Sequence, residues 1–155
     1  MLSKLKPYIL FIGASLATGG LSALITGDSM ERYALLDQPP LAPSGRLFPA
    51  VWTVLFVLMG VGMARVYSAN EPSRSASLSL FFAQLAVNFC WSIFFFRLEA
   101  RLFAFIWLLF LLALVLFMTT EFRMSDRAAA LLQLPYILWL CFAGYLSMGV
   151  YLLNS

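Results

Sequence analysis

Gln84, Asn88, Trp91 and Phe95 recur at i, i+4, i+7 and i+11 in a run that carries no charge from 75 to 96. On an α-helix these four residues fall on one stripe, two amides alongside two aromatic rings. A primary amide facing lipid tails is costly, so the stripe turns toward other helices. Two uses are then open to the amides. They hydrogen-bond neighbouring helices, each bond worth about 1 kcal/mol or less, or they offer hydrogen bonds to a ligand. Helix physics by itself favours the first. The chain has no histidine, which removes the usual general base and the usual metal ligand. Its two cysteines, Cys90 and Cys141, lie inside apolar runs and read as buried packing thiols, with no disulfide framework. No catalytic residue and no metal site is assigned.

The elements that must position this stripe follow from where the charges are not. Of 155 residues 63% are hydrophobic and 11% charged, far from the balance of a soluble domain. Every charged residue lies outside five windows, 7–27, 47–64, 75–96, 102–120 and 128–155. Each window approaches or exceeds the roughly 20 residues that cross hydrocarbon as a helix. None shows the alternation of a barrel strand. The fold class is therefore all-α, one integral membrane bundle of five transmembrane helices over 1–155, with helices at about 7–26, 47–67, 77–96, 102–121 and 128–153.

Between the first two helices lies a loop at about 27–46, and from it into the start of helix 2 Pro39, Pro40, Pro43 and Pro49 crowd into eleven residues. Such spacing excludes helix and paired strand and predicts a stiff, extended segment. It is either a lid over a pocket or a plain connector. Pro49 suits the first turn of helix 2, on which Phe48, Trp52, Phe56 and Gly60 share a face. In helix 1, Gly13, Ala17 and Gly20 form a small-residue stripe suited to helix packing; Lys4 and Lys6 ahead of it also admit a secretory signal, though the apolar run is long for one. A polar link joins helices 2 and 3 around Asn70, Glu71 and Pro72. Arg97 to Arg101 allow only a tight turn, making helices 3 and 4 antiparallel neighbours. Trp107 on helix 4 packs or faces lipid. Pro135 bends helix 5, which also carries Trp139, Ala143 and Ser147 at i+4 steps.

Counting arginines and lysines on each side sets the N-terminus in the cytoplasm by a narrow margin. The charge of +3 is scattered, with no basic run for nucleic acid. No charge lies inside a window, which disfavours ion-coupled transport.

Four blocks now occur in order: Tyr33-x-x-Leu36-x-x-Pro39, Phe48-Pro49-x-x-Trp52-x-x-Leu55, the Gln84 to Phe95 stripe, and Pro135-Tyr136-x-x-Trp139-x-x-Phe142-Ala143. Together they resemble the tryptophan-rich sensory protein family, bacterial relatives of the mitochondrial translocator protein (the peripheral benzodiazepine receptor). The resemblance implies a five-helix bundle, often a homodimer, with a pocket open toward loop 1. It implies ligands such as porphyrins, isoquinoline and benzodiazepine drugs and, in some members, cholesterol. The porphyrin is then a ligand and not a cofactor. Carried onto this chain, the ligand-binding wall is Trp52, Asn88, Trp91, Trp139 and Ala143, with Tyr33 as cover.

Two departures stand out. Arg32 and Leu41 occupy places where relatives carry tryptophan, and no basic residue follows Arg127, so the cholesterol motif proposed for the last helix is absent. Arg32 is added to the site as a candidate partner for a porphyrin propionate; the plainer alternative is that it sits in water or pairs with Glu31 or Asp37. The function implied is a membrane receptor or carrier for tetrapyrroles and other flat hydrophobic ligands, with a regulatory or stress-sensing role. The alternatives are a light-dependent porphyrin-degrading enzyme and a lipid, sterol or porphyrin transporter.

Overall fold

The computed structural model describes residues 1–69, 72 and 74–155, and all the regular structure among them is helical. The elements are α1 (Leu2–Ala34), α2 (Leu47–Ser68), α3 (Arg74–Ser92), α4 (Arg101–Ser125), α5 (Arg127–Leu131) and α6 (Leu134–Leu153). Counting α3 with the π-helical turn Ile93–Arg97 that extends it, and α5 with α6, there are five spans long and apolar enough to cross a membrane. The expected five-helix architecture is what the chain forms. The polar link after α2 lies partly outside the described residues.

Helix 1 runs eight residues past its expected end, and loop 1 shrinks to 35–46. The 3.6-residue period explains why. Thr26, Ser29 and Tyr33 continue the buried face while Asp28, Glu31 and Arg32 turn outward or to the margin. The first charge after Ile25 marks the edge of the hydrocarbon, not the end of the helix. Tyr33 and Arg32 are therefore helical residues and not part of a loop lid.

The small-residue stripe also points the other way from its expected direction. A Cβ on Gly13 or Gly20 would meet nothing within 4 Å. The inward face of α1 carries Phe11, Ser15 and Gly19 instead, and the close approach to α2 comes from one glycine on each helix. A Cβ on Gly60 would stand 2.5 Å from the Ile12 Cα, and one on Gly19 would stand 2.6 Å from the Phe56 ring. Two helices pack backbone to backbone when either one lacks a side chain at the crossing.

Loop 1 lies on the C-terminal end of α6. The Asn154 side chain accepts from the Asp37 amide (3.1 Å) and donates to the Asp37 carbonyl (2.8 Å), while the Tyr145 hydroxyl donates to the Pro40 carbonyl (2.8 Å). Pro39 is buried against Gly149, where a Cβ would come within 2.7 Å of its ring. The Ala42 amide returns to the Pro39 carbonyl, closing a turn with Pro40 second and Leu41 third at φ 71°. A third-position residue with positive φ is the type II arrangement, where glycine is usual; leucine there carries strain of about 1 kcal/mol or more.

At the other end of α3, the Leu98 amide reaches the Ile93 carbonyl (2.9 Å), and Glu99 at φ 55° reverses the chain into α4. The antiparallel pairing holds. Trp107 belongs to that seam, its Nε1–H donating to the Val87 carbonyl at 2.8 Å.

The last span is broken, not bent. Asp126 caps α5 through the amides of Ala128 (2.8 Å) and Ala129 (3.4 Å), and Leu132 and Gln133 form a turn before Pro135 enters the first turn of α6. Burial works against ionising Asp126, but Arg65, with Nε 2.8 Å from Oδ2, and the two amides outweigh it and hold the carboxyl below its ordinary range. Cys90 is half-buried and Cys141 exposed on the outer face, so neither is the buried thiol expected.

Candidate functional site

Trp52 on α2 is the hub of an aromatic cluster. Its ring centroid lies 5.6 Å from Phe56, 6.1 Å from Tyr136, 6.3 Å from Trp91 and 6.4 Å from Trp139. Trp91 stacks on Phe95 at 5.3 Å, and Phe48 meets Trp139 edge-on at 5.7 Å. Tyr33 closes the loop-side end, 5.5 Å from Phe95 and 6.3 Å from Phe48. Three of the chain's four tryptophans, on three different helices, thus converge on one place.

Beneath the rings lies a buried polar triad. Asn88 Nδ2 donates to Tyr136 Oη (2.7 Å), and the Tyr136 hydroxyl donates to Gln84 Oε1 (2.8 Å). Gln84 Nε2 points at the Met59 sulfur, 3.6 Å away. A buried hydroxyl needs partners. The two amides of the α3 stripe are those partners. Tyr136 is the residue that reading by type did not assign. The signal was present, a tyrosine after a proline in an apolar helix with two amides waiting on another helix.

The cluster holds two donors with no acceptor. The indole nitrogens of Trp91 and Trp139 are both buried and neither makes a hydrogen bond. On its outer side Trp139 forms the wall of an open apolar groove of about 490 Å³ between α2, at Val51 and Leu55, and α6, at Leu138 and Phe142. The groove borders the rings directly.

Of the sequence-derived residues, Trp52, Trp91, Trp139 and Tyr33 are thus brought together, with Asn88 attached through Tyr136. Ala143 is buried on α6, one turn beyond Trp139. Arg32 stands apart. Its Nη1 lies 3.3 Å from Glu99 Oε1 and its Nη2 donates to Ser29 Oγ at 3.1 Å. The carboxylate it meets is Glu99 of the α3–α4 turn, neither Glu31 nor Asp37, because the lengthened α1 carries it alongside that turn.

The family model described as the TspO/MBR family matches residues 11–152. The chain belongs to the TspO/MBR family. It is 32% identical over 148 residues to the tryptophan-rich protein TspO of Chlorobaculum tepidum, covering 94% of both chains. It is 33% identical to the protein of the same name from Archaeoglobus fulgidus, over 92% of this chain and 93% of that one. The translocator protein of Ovis aries is 28% identical over 91% of this chain and 88% of its own. The chain is accordingly a multi-pass membrane protein of the TspO/MBR family. The family-like blocks around Tyr33, Trp52, Trp91 and Trp139 are the ones whose rings meet, and the departures Arg32 and Leu41 both lie outside the ring cluster.

Proposed function

We propose that this TspO/MBR protein is a membrane receptor or carrier that binds a flat, largely apolar ligand of the tetrapyrrole class between α2, α3 and α6. The observation that carries the reading is the pair of buried indole N–H groups, on Trp91 and Trp139, without acceptors inside an aromatic cluster. Buried donors without partners are uncommon, and aromatic walls with a few directed polar groups suit a planar macrocycle. Trp52, Trp91 and Trp139 would form the walls and Tyr33 the cover. Asn88 would act through Tyr136, and Ala143 would keep α6 close. The ligand would replace ring-on-ring contacts by ring-on-macrocycle contacts, entering where the groove already separates α2 from α6. A translocator or sensory role follows from reversible binding. Membrane lipid surrounds the bundle, the N-terminus is proposed to be cytoplasmic, and the outward Gly13, Ala17 and Gly20 face suits a homodimer.

The test is a titration of the purified protein with protoporphyrin, followed by tryptophan quenching. Trp139→Ala is expected to weaken binding more than tenfold, about 1.4 kcal/mol, with helicity unchanged. Trp107→Phe, on the α3–α4 seam, should bind like the parent. Equal affinities in the two variants would remove the cluster as the site.

A further inference from the structure

Arg101 opens α4 at the end of the bundle that carries loop 1. Its side chain is only 16% exposed, yet the ion pair it makes, with Glu99, is long. The Nε is buried without a hydrogen-bond partner, and the nearest carboxylate oxygen, Glu99 Oε2, is 4.0 Å from Nη2. The other oxygen of Glu99 is held closer, by Arg32 at 3.3 Å. Other arginines are better served. Arg65 has Asp126 at 2.8 Å, and Arg97 donates to the Ile25 carbonyl at 3.1 Å. A guanidinium presents five donors in a rigid fork, and leaving the buried Nε–H unmade is unfavourable.

Arg101 lines a cavity of about 360 Å³ whose opposite wall is Tyr151 and Asn154, from the end of α6. We propose that this cavity is a site for a phosphate oxyanion, that of an anionic glycerophospholipid, with Arg101 as its anchor. The fork of an arginine matches two phosphate oxygens at once. The positive end of the α4 dipole adds to the same field. Tyr151 brings a phenol to the other side.

The position selects a lipid over a soluble anion. Leu102 and Phe103, the next two residues, also line the cavity and are exposed apolar surface, and they begin a charge-free run that lasts to Thr120. Arg101 therefore stands at the boundary where headgroup phosphates lie above acyl chains. Glu99 sets the strength of the site, because among the described residues it is the acidic side chain lining the cavity. The cavity shares no lining residue with the ring cluster, and the proposal does not depend on the tetrapyrrole reading.

The experiment is native mass spectrometry of the full chain released from detergent after incubation with phosphatidylglycerol or phosphatidylcholine, with inorganic phosphate as a competitor. One phosphatidylglycerol adduct is expected to persist and phosphatidylcholine to be lost. Arg101→Gln should lower retention about tenfold and Arg101→Lys by less, since lysine keeps the charge without the fork. Should Arg101→Gln fail to fold, Glu99→Gln reads the same site from the other side and should raise retention. Equal retention of both lipids, unchanged retention in a folded Arg101→Gln, or no rise in Glu99→Gln would each overturn the proposal. A thermal shift with inorganic phosphate that depends on Arg101, without retained lipid, would overturn the lipid assignment and make the ligand a soluble oxyanion.

Discussion

The half of the bundle beneath loop 1 and the half toward the α2–α3 link are built from different materials. Beneath the loop, Tyr33, Phe48, Trp52, Trp91, Phe95 and Trp139 meet ring to ring, mostly tilted or edge-on, with two indole donors unpaired. In the other half, Met59, Met63, Ala64, Phe81 and Phe122 are completely enclosed, and Gly60 and Gly62 bring α2 against the α1 backbone and the Gln133 side chain. At Gly60 the nearest neighbour is the Ile12 backbone, which cannot yield as a side chain can. Ring contacts are held by faces and edges that a flat ligand can supply equally well. The contrast separates a half that fixes the helices from the half in which the proposed ligand would replace ring contacts.

The most forceful way to break this division is to add bulk on the fixed side. Gly60→Val would drive methyl groups into the Ile12 backbone, which cannot swing aside as a ring can. A loss of about 3 kcal/mol is expected, at the upper end for overpacking, read as a lowered unfolding midpoint in detergent. The fraction that stays folded should keep its protoporphyrin affinity. A large affinity loss with no stability loss would erase the distinction between the halves.

Tyr136→Phe acts at the boundary. The hydroxyl joins Asn88 to Gln84, so its removal leaves one donor and one acceptor buried without each other. The expected cost is about 1–3 kcal/mol, and the midpoint of a thermal melt measures it. Binding should weaken as well, because Asn88 is then free to rotate. A variant as stable as the parent would mean that the triad is not a structural joint.

How much of this was legible in the sequence differs between the halves in the same way. Span number, the antiparallel turn at Glu99 and the inward faces of α2 and α3 follow from periodicity and charge, which one helix determines alone. The Tyr136 triad needed a partner across two helices. Periodicity gives the face of each residue but not which faces meet. The extent of α1 is not readable from charge, because Asp28, Glu31 and Arg32 mark where the helix leaves the hydrocarbon and not where it ends. The Gly13 stripe faces away from the bundle, and small residues favour close packing without specifying which of two available faces receives the neighbour. The ring cluster is legible through the resemblance to the family, whereas composition alone leaves loop 1 as either a lid or a connector.

A gentler probe sharpens the exchangeable half. Asn154→Ala removes both side-chain bonds to Asp37 while leaving Tyr145 and the Pro39–Gly149 contact in place. These bonds are exposed, so global stability should fall by about 1 kcal/mol or less. Amide exchange across 36–42 should nevertheless speed up, and ligand should enter and leave faster at similar affinity. Unchanged exchange there would mean that loop 1 is held by its prolines and not by α6.

The smallest effect is expected at Arg32, and it decides whether the exchangeable half extends to the rim of the bundle. The guanidinium is 58% exposed and lies against Glu99, an arrangement worth about 0–1 kcal/mol in water. Arg32→Ala should therefore leave the melting midpoint almost unmoved and change protoporphyrin affinity less than twofold. It should act instead on the cavity at Arg101. Glu99, released from Arg32, becomes a stronger competitor for that guanidinium, and phosphatidylglycerol retention should fall modestly, an effect that added salt diminishes. An uncharged isoquinoline serves as the control. If Arg32→Ala weakens protoporphyrin several-fold, spares the isoquinoline and loses the difference in high salt, then Arg32 leaves Glu99 to meet a propionate. The ligand site would then reach from the tryptophans to the end of α1.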